Sequence, residues 1–283
     1  MVTEAAGFAL LAESTSDASR TQMFGFNFFG SGLSYFIANV VGGWLATPFS
    51  VGLGLPEHDP TVLRGLLLLS AAIGATSALP ILRLASGERP AHVDAPRSWS
   101  VLTRFALVNL CFGLGAGSFL PFLNLFFSQR FDLDFAAVGV AIGLINVTGG
   151  VGGLLHTRVA PRLGAVRSLA AFWIASLPFA LVGAFASSVF AALPALFVRG
   201  VLMTAATPTL EAYTISAFHA AERSGAQAIV STMWALGAGM GALASGAVRA
   251  WLGPSGFTVN LLTLVCCYIL ATAIFAASFG RRR

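Results

Sequence analysis

The sequence has 283 residues, 57% of them hydrophobic and 10% charged, with a formal net charge of +5. A soluble domain carries about 25% charged residues, so a chain this poor in charge cannot solvate its own surface and is no water-soluble globular protein. The apolar runs reach the roughly 20 residues of a helical span and lack the roughly 10-residue alternation of barrel strands, which predicts an all-α, multi-pass membrane protein with the lipid bilayer as its first partner.

Met1 to Arg20 lacks the pattern of a signal peptide. Glu4 stands where a basic region belongs, and the apolar run Ala5 to Ala12 is too short to span. It reads as the tail of a helix. The first span runs from about Gln22 to Thr47 and is rich in glycine, which lets helices approach closely in lipid. The loop Pro48 to Pro60 carries Glu57 and Asp59 but no arginine, and the second span covers about Thr61 to Leu82.

A polar stretch follows, Ala85 to Ser100, with Pro90, Pro96, Arg89 and Arg97. Span three covers about Val101 to Phe127 and is interrupted by Pro121; span four covers about Phe135 to Leu155. The loop His156 to Arg167 holds three arginines and no acid. Spans five and six cover about Ser168 to Ala186 and Phe190 to Ile215, joined by an uncharged turn. After a loop with Glu222 and Arg223, spans seven and eight cover about Ala228 to Leu252 and Phe257 to Phe279.

Eight alternating spans place Arg20, Arg83, Arg89, Arg97, Arg104, Arg158, Arg162, Arg167, Arg223 and the terminal Arg281 to Arg283 on one side. The other side receives Arg64, Arg130 and Arg249. By the positive-inside rule the rich side, and with it the C-terminus, is cytoplasmic. The positive charge therefore orients the chain in the cell (cytoplasmic) membrane and calls for no nucleic-acid partner. Cys111, Cys266 and Cys267 lie within apolar spans without metal-ligand spacing and read as inert thiols. His58, His92, His156 and His219 lie in or beside loops. No Ser/His, paired-Asp or metal-ligand cluster suggests an enzyme, and no phosphate-binding loop, cofactor or metal is expected.

Arg20-Thr21 followed by a span reaching Gly43 recurs as Arg223-Ser224 followed by a span reaching Gly246. A two-fold parallel repeat with a polar loop between the halves is the plan of the major facilitator fold. With FGFNFFGSGLSYFIANVVGGWLA, LPFLNLFFSQRFDLDFAAVGVAIGLINVTGGVGGLL, VAPRLGAVRSL and PTLEAYTISAFHAAERSGAQAIVSTMWALGAGMGALASG, the sequence resembles a major facilitator superfamily transporter over nearly its whole length. The resemblance implies a helical bundle whose spans match the fifth through twelfth family helices, in an N-terminally truncated form. Residues 1–84 would then be a remnant of the N-terminal bundle (a helix tail plus two spans), 85–100 a cytoplasmic central loop, and 101–283 a complete C-terminal six-helix bundle.

Arg162, Gly164 and Arg167 keep part of a family loop motif, but Thr157 replaces its first glycine and Pro161 its acid, so cytoplasmic anchoring is expected of them. Ala38 and Asn39 replace the Gly-Pro pair of the family's antiporter motif, although Gly25, Gly42 and Gly43 remain; drug antiport is not supported.

Within the membrane, Arg199 stands about 13 Å from the outer end of span six. Two readings are open: it lines the central cavity and binds an anionic group or stabilises a gate, or it snorkels or pairs with Asp132 or Asp134. Glu211, on a face with Thr204 and three residues after Pro208, is a proton-titrating group or a structural acceptor near the interface. Asn109, Gly113, Gly117, Pro121 and Asn124 share one face of span three, suited to a cavity wall or a tight helix contact. The resemblance places this span and span six on the substrate path, which favours a cavity role for Asn124, and Pro121 allows a kink. Trp234, Asn39 and Asn146 read as packing or interhelical hydrogen-bond residues first and ligand contacts second.

The leading functional expectation is movement of a small solute by alternating access, as secondary active transport or facilitation, with proton-coupled efflux among its forms. Beside it stand a truncated, non-transporting fragment or a subunit completed by a missing N-terminal half, and more remotely a polytopic membrane enzyme.

Overall fold

The structure, a computed structural model, describes residues 17–57, 59–76, 79, 98–219 and 222–280. The helix tail at Met1 to Ala12, most of the polar stretch 85–97 and the terminal arginines lie outside the described residues. The described chain is helical, as hydrocarbon demands of any backbone with no water to bond. Its helices are α1 (Asp17–Leu53), α2 (Pro60–Thr76), α3 (Trp99–Phe119), α4 (Leu123–Phe131), α5 (Phe135–Leu163), α6 (Ala165–Phe185), α7 (Val189–Ser216), α8 (Arg223–Leu252) and α9 (Gly256–Phe279). Among the described residues five stretches are long and apolar enough to cross a membrane, one of them holding both α8 and α9; α2 and the first half of α5 are shorter apolar helices.

The boundaries differ from the sequence reading; α8, for one, begins at Arg223 and not at Ala228. Helix α1 runs on through Pro48 to Leu53 instead of ending at Thr47. Proline removes one ladder bond, and the Ser50 hydroxyl donates to the Thr47 carbonyl nearby, 2.8 Å. The loop expected over His156 to Arg167 is almost entirely helical, because α5 continues to Leu163 and α6 begins at Ala165. Arginine is a good helix former, so charge alone does not open the helix. The break falls on Gly164, whose φ of +76° is one glycine adopts without a Cβ penalty. Pro121 does more than kink its span: a 3-10 turn, Leu120–Phe122, separates α3 from α4.

Helix α3 packs on α8 and α9, α6 on α7 and α9, and α5 on α7; α1 lies along α5 from outside this group. The α3–α8 contact is a reciprocal glycine seam. A Cβ on Gly113 would strike the Trp234 carbonyl and one on Gly117 the Ala238 carbonyl, while one on Gly237 or Gly241 would strike the carbonyl of Leu110 or Leu114. Both pairs are spaced four apart, so each presents one smooth face to the other backbone.

Aromatic layers fill the interior. Phe105, Phe112 and Phe119 recur every seven residues on α3, about 10 Å apart along the axis. Phe105 stacks on Phe279 at 4.5 Å between centroids. Phe112 meets Trp173 at 4.7 Å and Tyr268 at 5.0 Å, edge to face. Phe119 meets Phe126 at 5.1 Å, which in turn meets Phe257 at 5.6 Å. Lipid tails are as apolar as these rings, so the pairs hold the bundle through ring geometry and close packing rather than through exclusion of water.

Candidate functional site

Arg199 sits ten residues into α7, at the level of the middle aromatic layer. Its side chain turns inward. The residue is 5% exposed, and its guanidinium carbon lies 5.4 Å from the centroid of the Tyr268 ring on α9. Its Nε and Nη2 are buried without a hydrogen-bond partner. The side chain therefore does not snorkel to the surface, and in this conformation it does not line an open cavity. Asp134 caps the start of α5, its carboxylate accepting from the Ala137 N–H at 2.7 Å.

One turn further, α7 is tied to α5. The Thr204 hydroxyl lies 3.0 Å from the Thr148 carbonyl and 2.8 Å from the Gly200 carbonyl of its own helix. A Cβ on Gly200 would meet the buried Thr148 side chain at 2.8 Å, so the absent side chain at Gly200 permits this contact. Glu211 is half-buried near the end of α7 that leads to the Phe218 loop. Pro208 lies within α7, whose helix runs on to Ser216.

The remaining candidates are scattered. Asn124 is exposed on α4, Asn146 is exposed on α5, and Trp234 is half-buried against the core. Gly113 and Gly117 lie in the α3–α8 seam, and Pro121 in the turn that ends α3. Arg162 and Arg167 are exposed on either side of Gly164. Asn39 donates to the Tyr35 carbonyl of its own helix at 2.7 Å. It also borders an apolar cleft of about 270 Å³ between α1, α2 and α5, with Ala38, Gly42, Leu63, Phe135 and Ile142. In the lining of this cleft α1 and α5 touch backbone to backbone: a Cβ on Gly43 would strike the Phe135 carbonyl and one on Gly139 the Asn39 carbonyl.

Some contacts were missed in the sequence reading. Asn260 donates to the Ser245 hydroxyl at 2.7 Å, and the Ser118 hydroxyl lies 3.1 Å from the Asn260 carbonyl, so buried polar groups join α3, α8 and α9. A lone amide in the apolar run of span eight was the available signal. Arg130 donates to the Thr258 hydroxyl at 3.0 Å and the Ala186 carbonyl at 3.2 Å, closing the same end of the bundle where Arg249 stacks 4.0 Å from the Phe122 ring centroid. Among the described residues no group of three or more His, Cys, Asp or Glu could hold a metal ion.

The family model described as Major Facilitator Superfamily matches residues 105–283. No curated protein matches the sequence. Among solved structures, a bacterial homologue of the human lysosomal transporter Spinster, inward-facing and occupied, aligns with a TM-score of 0.71 at 12% identity, over 98% of this chain and 73% of its own. Its inward-facing, unoccupied form aligns at 0.61 and 15% identity, over 96% and 73%. The transporter FucP in its outward conformation aligns at 0.53 and 18% identity, over 76% of this chain and 55% of its own.

Proposed function

The chain belongs to the Major Facilitator Superfamily, and on that premise we propose that it moves a small solute across the cytoplasmic membrane by alternating access. The observation that carries the proposal is the α1–α5 seam. Two helices from separate parts of the chain meet there through glycines and bare carbonyls, at Gly43 with Phe135 and Gly139 with Asn39. Apart from Phe36, whose ring packs over Gly143, the contact is made by backbone, and such a contact tolerates small rotations of one body against the other, which rocking about a midplane site requires. Proteoliposomes containing the purified protein, tested with imposed solute and proton gradients, decide the matter. Flux along a gradient supports the reading, and no flux under any gradient sinks it.

A second reading is that the transporting unit includes polypeptide beyond these helices. It is favoured by polar groups on the open side of α1, where Ser31, Ser34 and Tyr35 are exposed and Tyr35 reaches 53%. Hydroxyls facing lipid are costly, so a covering helix would satisfy them better. Intact mass of the protein isolated from its native membrane tests this directly, since added helices appear as added mass.

A further inference from the structure

The two unpartnered nitrogens of Arg199, Nε and Nη2, lie on one edge of the guanidinium, where their N–H bonds run parallel. That edge is the fork that takes both oxygens of a carboxylate. The side chain is 5% exposed and one face of its charged group is covered by Tyr268 at 5.4 Å. A charge buried at such a depth without a counter-charge is costly, so a counter-charge is expected.

Among the described residues no carboxylate meets Nε or Nη2. Thr148 and Gly200 touch, which sets the level of α5 against α7. Asp134 lies fourteen residues before Thr148, about 21 Å away along the axis, and is engaged in its cap. Glu211 lies twelve residues beyond Arg199, about 18 Å along α7. Glu222 caps α8 beyond the end of α7 at Ser216, seventeen residues past Arg199.

We infer that the Nε/Nη2 edge of Arg199 is a binding site for the carboxylate of a small organic anion. The surrounding chemistry defines the rest of the ligand. Tyr268 packs on Phe112, and Phe112 on Trp173, so an apolar or flat body next to the carboxylate meets rings rather than water. Burial of the site in this conformation means that the anion enters only when the bundle opens. This inference rests on the transport reading for its physiological role, but binding can be measured without transport.

The test uses the purified full chain in nanodiscs, with tryptophan fluorescence as readout because Trp173 contacts Phe112. Acetate, lactate and benzoate are titrated beside acetamide and benzamide as neutral isosteres, with inorganic phosphate and chloride as further anions. A saturable response to one or more carboxylates is expected, weakened about tenfold or more in Arg199→Gln and partially in Arg199→Lys, which keeps the charge but loses the fork. The lysine variant carries the comparison if the glutamine variant does not fold. The inference is overturned by an unchanged response in these variants, by phosphate or chloride binding as well as the carboxylates, or by no saturable response to any carboxylate. Carboxylate binding without flux in proteoliposomes removes the transport reading and leaves the site. Flux of another solute that Arg199→Lys does not alter, with no carboxylate binding, does the reverse.

Discussion

The side-chain amide of Asn260 on α9 donates a 2.7 Å hydrogen bond to the Ser245 hydroxyl on α8, and both residues are at most 2% exposed. The Ser118 hydroxyl approaches the Asn260 carbonyl from α3, so three helices share one polar junction inside an apolar bundle. Interhelical hydrogen bonds in membranes contribute about 0.6 kcal/mol on average and up to about 1.7. Asn260→Ala should therefore destabilise the bundle by about 1–2 kcal/mol, more than Ser245→Ala, because it also leaves a cavity. Reversible unfolding in mixed micelles measures both; equal stability of Asn260→Ala and the parent would show that the junction contributes nothing.

The glycine seam carries its own control. Gly117 and Gly241 have the opposite backbone in the way of any side chain, whereas Gly239, on the same helix as Gly241, has nothing within 4 Å. Gly117→Val and Gly241→Val should force α3 and α8 apart and abolish most of the folded yield. Gly239→Ala should be tolerated and stabilise α8 by about 0.5–1 kcal/mol through lower chain entropy in the unfolded state. Size-exclusion profiles and melting temperatures of the three variants decide this. A well-folded Gly117→Val would contradict the seam.

At the α1–α5 contact the expected effect is functional. Gly139→Leu must displace α1 at Asn39, and Gly43→Leu must displace α5 at Phe135. Both residues lie outside the α3–α8 and α6–α9 contacts that hold the rest of the bundle. Flux should fall about tenfold or more while the melting temperature changes by only a few degrees. A variant that melts far earlier would mean that α1 is a structural member of the bundle and not a partner it moves against.

The head of α2 should respond to acid. Asp59 accepts from the Thr61 N–H at 2.7 Å, and bonds from the Thr61 backbone and hydroxyl, helped by Arg64, hold its carboxyl below the usual carboxylate range. A pKa lowered on folding contributes stability above the unfolded value, near 4, and that contribution is lost as pH falls through the lower folded value. Hydrogen exchange at the first turn of α2 should accelerate below about pH 4 in the parent. Asp59→Asn, which cannot ionise, should show no such step. A step of the same size in the variant would assign it to another group.

The composition and run lengths of the sequence were enough to establish an all-α membrane protein with several long apolar helices, because lipid imposes a length and an apolarity that any spanning helix must show locally. Gly113 and Gly117 were legible as a face for the same reason: a four-residue repeat is written along one helix. What faces that stripe is not written there. Only the fold decides that Gly237 and Gly241 oppose it, that Asn260 reaches Ser245, and that the α5–α6 junction narrows to Gly164. Arg199 shows the division most clearly. Its charge within an apolar run marks it in the sequence, but the choice between surface, cavity and interior depends on which way α7 is turned. That rotation is set by the contacts of Gly200 with Thr148 and of Arg199 with Tyr268, between residues 52 and 69 positions apart in the chain. Local periodicity carries no information about partners at that separation, because close packing between helices is settled only when all of them are in place.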